Sequence, residues 1–316
     1  MTLSPVPPDI ALAGLRALKT VCSADGGITP LERGFIDGVQ RHVLNLSADL
    51  DALAPIDGAE LAQRVPAGEF RERVVGGLVI ASTMSGESST AEMAIIEGFA
   101  RALGVKADVL RVGQHLAHHQ FTLARIDIVR RALLGFKVKE VLHEGGVSGV
   151  IKQFLPMLGV ENKALAARYR ALESSPAGTL GRAYCDFVTA NGFSFPGEPH
   201  AGPEIIVVHD VLHVLGDYAT TPEEEVLVAA FQAGTHHADQ FHQLLFAIAQ
   251  FHLGLAIAPG STPEKFKVDP PKMVEALMRG ARVPKDYWAE FKPWDHFSRS
   301  LDEVRRELRI EPRLAA

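Results

Sequence analysis

Apolar residues recur at spacings of three and four along most of this chain, the period of a helix with one buried face. The pattern is plainest in PPDIALAGLRALKTVCSA (7–24), LERGFIDGVQRHVL (31–44), FRERVVGGLVIASTM (70–84) and AEMAIIEGFARALGV (91–105). Sustained alternation at period two is nearly absent, so the pattern predicts an all-α fold. A repeat is visible as well. ADGGITPLE (24–32) lies sixty positions before MSGESSTAE (84–92), and each follows one apolar helix and opens another. Thr29 and Ser89 are placed to cap the new helices, with Glu32 and Glu92 three residues on to complete capping boxes. Further amphipathic helix runs through ARIDIVRRALLGFKVKEVLHE (124–144) and VIKQFLPMLGV (150–160), interrupted by HEGGVSG (143–149). The expected organisation is a helical bundle over 1–108, connecting helices over 109–164 and a second helical domain over 165–316.

One hairpin stands out against this background. EIIVVHDVLHVLG (204–216) is apolar at most positions and stops at Gly216, and TTPEEEVLVAAFQAG (220–234) starts again with Pro222 at its first turn. His209 and His213 are four apart, one turn along a single face, which lets two imidazoles reach one cation. Asp210 is adjacent. Of the three glutamates, Glu224 completes a capping box with Thr221 and Glu223 favours the positive helix end, which leaves Glu225. Gln232, His236 and Asp239 continue its stripe toward the histidines. Two histidines and two carboxylates form a nitrogen and oxygen set suited to zinc, iron or manganese. The competing reading is a pair of core histidines beside a solvated acidic run. Four polar side chains on an otherwise apolar hairpin are costly to bury unpaired, which favours a divalent metal. His115, His118 and His119 read as surface imidazoles.

Charge and composition narrow the classes. The 316 residues, 47% of them hydrophobic, are enough for about two domains. A formal net charge of −6 supplies no basic field for nucleic acid. Cys22 and Cys185 lie in no C-x-x-C context, which argues against thiolate ligation and, with an N-terminus unlike a secretory signal, sets a cytoplasmic expectation. LLFAIAQFHLGLAIAP (244–259) is too short and too polar to span a bilayer. Arg125, Arg130, Arg131, Lys137 and Lys139 form a pattern compatible with a basic helix face on a membrane surface, although solvated helix surface explains them too.

Two resemblances follow from these motifs. The turn ADGGITPLERGFIDGV (24–39) is similar to the acidic turn of the TerB-like (tellurite-resistance) family, and the resemblance covers roughly 12–108. That resemblance implies a small helical bundle and nominates Asp25, Glu32 and Glu92 as divalent-cation ligands, although Ser85 stands at the second copy's equivalent of Asp25 and capping alone explains the two glutamates. YRALESSPAGTLGRAYCDFVTANGF, followed by H-D-x-x-H, eleven residues and E, resembles the fourth protein of the coenzyme Q (ubiquinone) biosynthesis series, an all-helical Coq family. LDEVRRELRIEP (301–312) is similar to that family's tail, so the resemblance runs from about 165 to 312. His209, Asp210, His213 and Glu225 match its metal motif, whereas Glu224 replaces a usual glycine and THHADQFH adds His236, His237 and His242.

The Coq resemblance implies work on prenylated aromatic lipids alongside other ubiquinone-biosynthesis enzymes, as an organiser at the membrane or as a catalyst of oxidative decarboxylation and hydroxylation at ring carbon one. Arg182, Tyr184, His236 and Asp239 are the candidate substrate-binding residues, with the helix packing that follows the Thr179 cap as the alternative for Arg182 and Tyr184. The apolar segment near 244–257 is the candidate groove for a prenyl tail. We expect a homodimer in reversible peripheral contact with a membrane surface, such as the inner membrane. Two alternatives stay open: a zinc-dependent hydrolase with Asp210 as general base, and a non-catalytic lipid-binding scaffold with a structural metal.

Overall fold

A computed structural model describes residues 6–132, 148, 152–236, 240–257 and 261–313. The fold is all-α, as the apolar period predicts. Among the described residues the pairing typical of sheets is limited to two isolated bridges, Thr179 with Ser300 and Leu253 with Lys265. The helices in chain order are α1 (Pro8–Cys22), α2 (Pro30–Gly38), α3 (Gly58–Arg64), α4 (Glu69–Ala81), α5 (Thr90–Leu103), α6 (Asp108–Ala117), α7 (Phe121–Ala132), α8 (Lys163–Arg170), α9 (Leu180–Ala190), α10 (Val207–Gly216), α11 (Pro222–Thr235), α12 (Gln240–Phe251), α13 (Pro270–Gly280), α14 (Tyr287–Glu290) and α15 (Leu301–Glu307). Many of their starts are fixed by local chemistry. Thr29 and Ser89 each accept the N–H of the glutamate three residues on, and Glu32 and Glu92 return the bond to the cap backbone, so both expected capping boxes exist. Asp57, Asn162, Thr179 and Thr221 cap α3, α8, α9 and α11 in the simpler one-way form.

The chain forms two compact units that do not follow the expected ranges. One combines Leu3–Ala132 with Ala238–Met278; the other combines Leu133–His237 with Arg279–Ala316. In the first, α6 packs on α4 and α5, α7 packs on α6, and α12 packs on α4 and α7. The reason is apolar surface. Residues from His242 to Phe251 of α12 are buried with the exception of Phe246, so α12 needs partners on several sides. Phe241 finds one of these partners at Gly76, where a Cβ would lie 2.3 Å from the ring. On the other flank Pro271 and Val274 of α13 sit against Gly38, whose Cβ would meet them at 3.1 and 3.3 Å. The helix expected to continue through 244–257 ends at Phe251, and Gly254 follows with φ +72°. No helix among the described residues is long and apolar enough to cross a membrane.

Two arginines of the expected basic face have acidic partners. Arg130 reaches Asp127 at 3.3 Å, and Arg131 pairs with Asp108. Lys137 and Lys139, and all of the Gly-rich break at 143–149 except Ser148, lie outside the described residues. In the second unit the core is aromatic: Tyr184 stacks on Phe297 at 5.4 Å, and Tyr169 contacts Trp294 at 4.8 Å.

Candidate metal centre

Helix α10 and the start of α11 bring His209, His213 and Glu225 together. The two Nε2 atoms are 3.2 Å apart. Glu225 places one carboxylate oxygen 3.6 Å from each ring, Oε2 toward His209 and Oε1 toward His213. Each imidazole is turned inward by a bond on its far side. His213 Nδ1 faces the carbonyls of Tyr218 and Ala219 at 3.2 and 3.0 Å. Carbonyls only accept, so Nδ1 carries the proton and Nε2 presents a lone pair to the centre. His209 Nδ1 meets Gln232 Oε1 at 2.9 Å, which fulfils the expectation that Gln232 belongs to this stripe. Phe187 stacks on the His213 ring at 5.2 Å.

The electrostatics place one proton between Glu225 and the two imidazoles. Burial first, and then a charged His209, lower His213 to about 4, so this ring is neutral at pH 7. Burial also works against a charged His209, but the hydrogen bond and charge of Glu225 prevail and raise it to about 9. Burial would raise Glu225 too, yet the two imidazoles hold it below its ordinary value. One proton is thus trapped among three inward-facing atoms. A divalent cation fits the same place, because bonds of about 2.1 Å in a tetrahedral site set neighbouring ligands roughly 3.4 Å apart. The observed edges of 3.2, 3.6 and 3.6 Å match that spacing.

Asp210, expected as a fourth ligand, does not join the three convergent atoms. Adjacent helical residues point about 100° apart, so sharing a face with His209 is not open to it. Burial instead raises its carboxyl to about 7. The hydroxyl of Tyr184 is buried with no hydrogen-bond partner, and its pKa is pushed up by burial first and then by Asp210 and Glu204. Arg182 is committed elsewhere, to Asp186 at 2.8 Å and the Glu173 carbonyl at 3.0 Å. His236 is held by both oxygens of Asp286 at 3.0 and 3.1 Å, where Asp286 caps α14, so it is built into the fold at the end of α11. Asp239 and His237 lie outside the described residues.

The other two glutamates of the run are separated as expected, though by different partners. Glu223 is exposed. Thr221 Oγ1 accepts the Glu224 N–H at 3.4 Å, but the Glu224 carboxylate does not return to the cap. It accepts from Ala219 N at 3.3 Å and pairs with Arg313 at 2.5 and 3.0 Å. Arg313 also donates to the Asp217 carbonyl, Arg279 to that of Gly216, and Arg305 to those of Leu215 and Val214. Three arginines distant in sequence therefore satisfy the open carbonyls at the end of α10 and fix the turn between the ligands. Nothing in the local pattern of 204–234 announces them.

A second cluster lies in the other unit. Cys22 Sγ and one oxygen each of Glu32 and Glu92 fall within 4.8 Å of one another, all buried. Each glutamate uses Oε2 on its cap backbone N–H and leaves Oε1 buried without a partner. Burial, aided by Asp25 and Glu32, raises Glu92 to about 8, so it is protonated at pH 7. Asp25, nominated as a ligand by the acidic turn, is exposed and outside the cluster. The capping boxes account for one oxygen of each glutamate without an ion. His115, His118 and His119 are partly or fully exposed, as expected of surface imidazoles. No family model, curated protein or solved structure matches this chain.

Proposed function

We propose that this chain is a metal-dependent protein of ubiquinone biosynthesis, acting on prenylated aromatic intermediates by oxidative decarboxylation and hydroxylation at ring carbon one. The observation that carries the metal is the convergence of His209, His213 and Glu225 at ligand-edge spacing. The substrate class rests on the H-D-x-x-H-x11-E spacing and its resemblance to the Coq family. His209, His213 and Glu225 would hold zinc, iron or manganese, and a redox-active ion supplies one-electron chemistry with dioxygen. Gln232 and the carbonyls of Tyr218 and Ala219 keep the imidazoles aimed inward, as outer partners of ligating histidines do. Phe187 covers one face of His213. Asp210 is the carboxyl beside the centre able to hold a proton, and the Tyr184 hydroxyl is a buried donor left for a bound molecule. In the overall reaction the ring carboxyl would leave as carbon dioxide, one atom of dioxygen would become the new ring oxygen and the other would leave as water, with the ring phenol as electron source so that the ring ends as its quinone. We place this work at a membrane surface, beside other enzymes of the same route, through reversible peripheral contact.

One observation favours a second reading. Two histidines and a glutamate are also the ligand set of hydrolytic zinc sites that keep a position open for water, and Asp210 would then serve as the base. Incubation of metal-quantified protein with a prenylated hydroxybenzoate under isotopically labelled dioxygen separates the readings. Loss of carbon dioxide with gain of labelled ring oxygen is the expected result. Cleavage of an ester or amide by the zinc form would favour the hydrolase. Bound metal and retained lipid without turnover would leave a scaffold.

A further inference from the structure

The unit built from Leu3–Ala132 and Ala238–Met278 contains a partly open cavity of about 260 Å³ that has no part in the metal centre. Helices α1, α4, α12 and α13 wall it, together with the π-helical turn Val39–Val43 that continues α2. Its lining is apolar apart from Arg73 and Gln240. Water in a buried site needs two to four polar partners, which such walls do not offer, whereas an apolar cavity of roughly 150 Å³ already takes a benzene-sized guest.

The walls are shaped to leave this space. Gly77 lines the cavity from α4, and a Cβ built on it meets no heavy atom within 4 Å. Gly14 lines it from α1, and its Cβ would meet only Val74 Cγ2, at 4.0 Å. Alanine is the better helix former at both positions, so local propensity does not explain the glycines. Met273 and Met278 contribute flexible thioethers that adapt to a guest. The π-helical turn puts one wall in a backbone form that recurs at functional sites. Arg73 supplies the one cation of the lining and is partly exposed. Among the described residues its ion pairing is a single contact to Glu69 at 3.3 Å, which leaves guanidinium donors for an oxyanion.

We infer that this cavity binds the hydrocarbon chain of a single-chain amphiphile whose anionic head is received by Arg73. The site is independent of the proposed reaction. A chain of this kind buries apolar surface that the protein cannot cover itself, while the guanidinium selects an acid over a neutral head group.

The test is displacement of an environment-sensitive dye from the full-length protein by laurate and, separately, by dodecanol. Saturable binding of both is expected, with laurate tighter. Gly77→Met, which fills the space from one wall, should weaken both at least about tenfold without lowering the melting temperature. If that variant does not fold, Gly77→Ala and Gly14→Ala take smaller steps into the same space, and each should still weaken both ligands. Arg73→Gln should weaken laurate about tenfold and leave dodecanol unchanged. His213→Ala should change neither, so loss of the metal centre and loss of this site are told apart. Absence of saturable binding, or equal affinity in the wild type and the glycine variants, would overturn the site. Equal laurate binding after Arg73→Gln would overturn the assignment of the head group.

Discussion

Glu92 shows how much one buried carboxyl can govern. Its side chain is fully buried, one oxygen closes a capping box and the other faces Glu32 and Cys22 without a partner. Burial first, then Asp25 and Glu32, raises it from 4.5 to about 8. Between those values the folded chain holds a proton that the unfolded chain has released, so each rise in pH favours unfolding. The stabilisation from this group is therefore complete below about pH 4.5 and is lost as pH climbs through about 8. Glu92→Gln keeps the acceptor for Ser89 and offers an amide to the bare oxygen of Glu32. It should flatten the fall in urea-measured stability between pH 5 and 8 and make the chain more stable than wild type at pH 8. A variant less stable at every pH would mean that a cation, and not a proton, neutralises the cluster. The capping roles of Glu32 and Glu92 were legible from T-x-x-E and S-x-x-E. The convergence on Cys22 was not, because it depends on two repeats folding against each other, and a lone cysteine ending an apolar helix carries no local mark of that.

Helix boundaries followed local chemistry closely, since Pro, Ser, Thr, Asp and Asn act on the N–H groups next to them. The H-D-x-x-H helix and the P-E-E-E helix lie where the sequence placed them, and Gln232 reaches His209. Asp210 missed the centre because neighbouring residues diverge around a helix, and His236 turned to Asp286, fifty residues away in sequence. The docking of α12 belongs to the same class of non-local fact. Its apolar period announces a buried surface, yet only the fold shows that Phe241 needs a residue without a side chain at position 76. Alanine is normally preferred over glycine inside a helix by about 1 kcal/mol, so propensity alone would make Gly76→Ala stabilising. With a Cβ 2.3 Å from the Phe241 ring, the sign should reverse to a loss of about 1–3 kcal/mol in urea unfolding. Phe241→Leu in the same chain should recover part of that loss, because residues in contact do not act independently. Strictly additive effects would show that the two do not share the contact.

At the scale of the whole molecule, the surprise is that 238–278 belongs with the N-terminal helices. Periodicity reports that a face is buried but not which surface buries it, so a cut near 164 looked natural from the sequence alone. A chain beginning at Ala164 would carry α12 without α4 and α7, exposing its apolar surface. Size-exclusion chromatography should find that chain aggregated, and a well-folded monodisperse fragment would contradict the two units described. The metal centre lies wholly in the other unit, where three arginines, a glutamine and two carbonyls hold its geometry. The central claim is that His209, His213 and Glu225 bind one divalent ion, and metal content of the full-length chain after dialysis against a weak chelator tests it most directly. Glu224→Gln removes the charge from the partly exposed pair with Arg313 and keeps an oxygen for Ala219 N, so it should cost about 0.5–1 kcal/mol of stability and keep the ion. Glu225→Gln and His213→Ala should each lower metal affinity by more than the roughly 10–100-fold typical of losing an outer partner, with the helices retained and little added by combining them. One ion per chain in the wild type and Glu224→Gln, with none in Glu225→Gln, is the expected result. Equal occupancy in all of these proteins, or no ion in the wild type, would contradict the account.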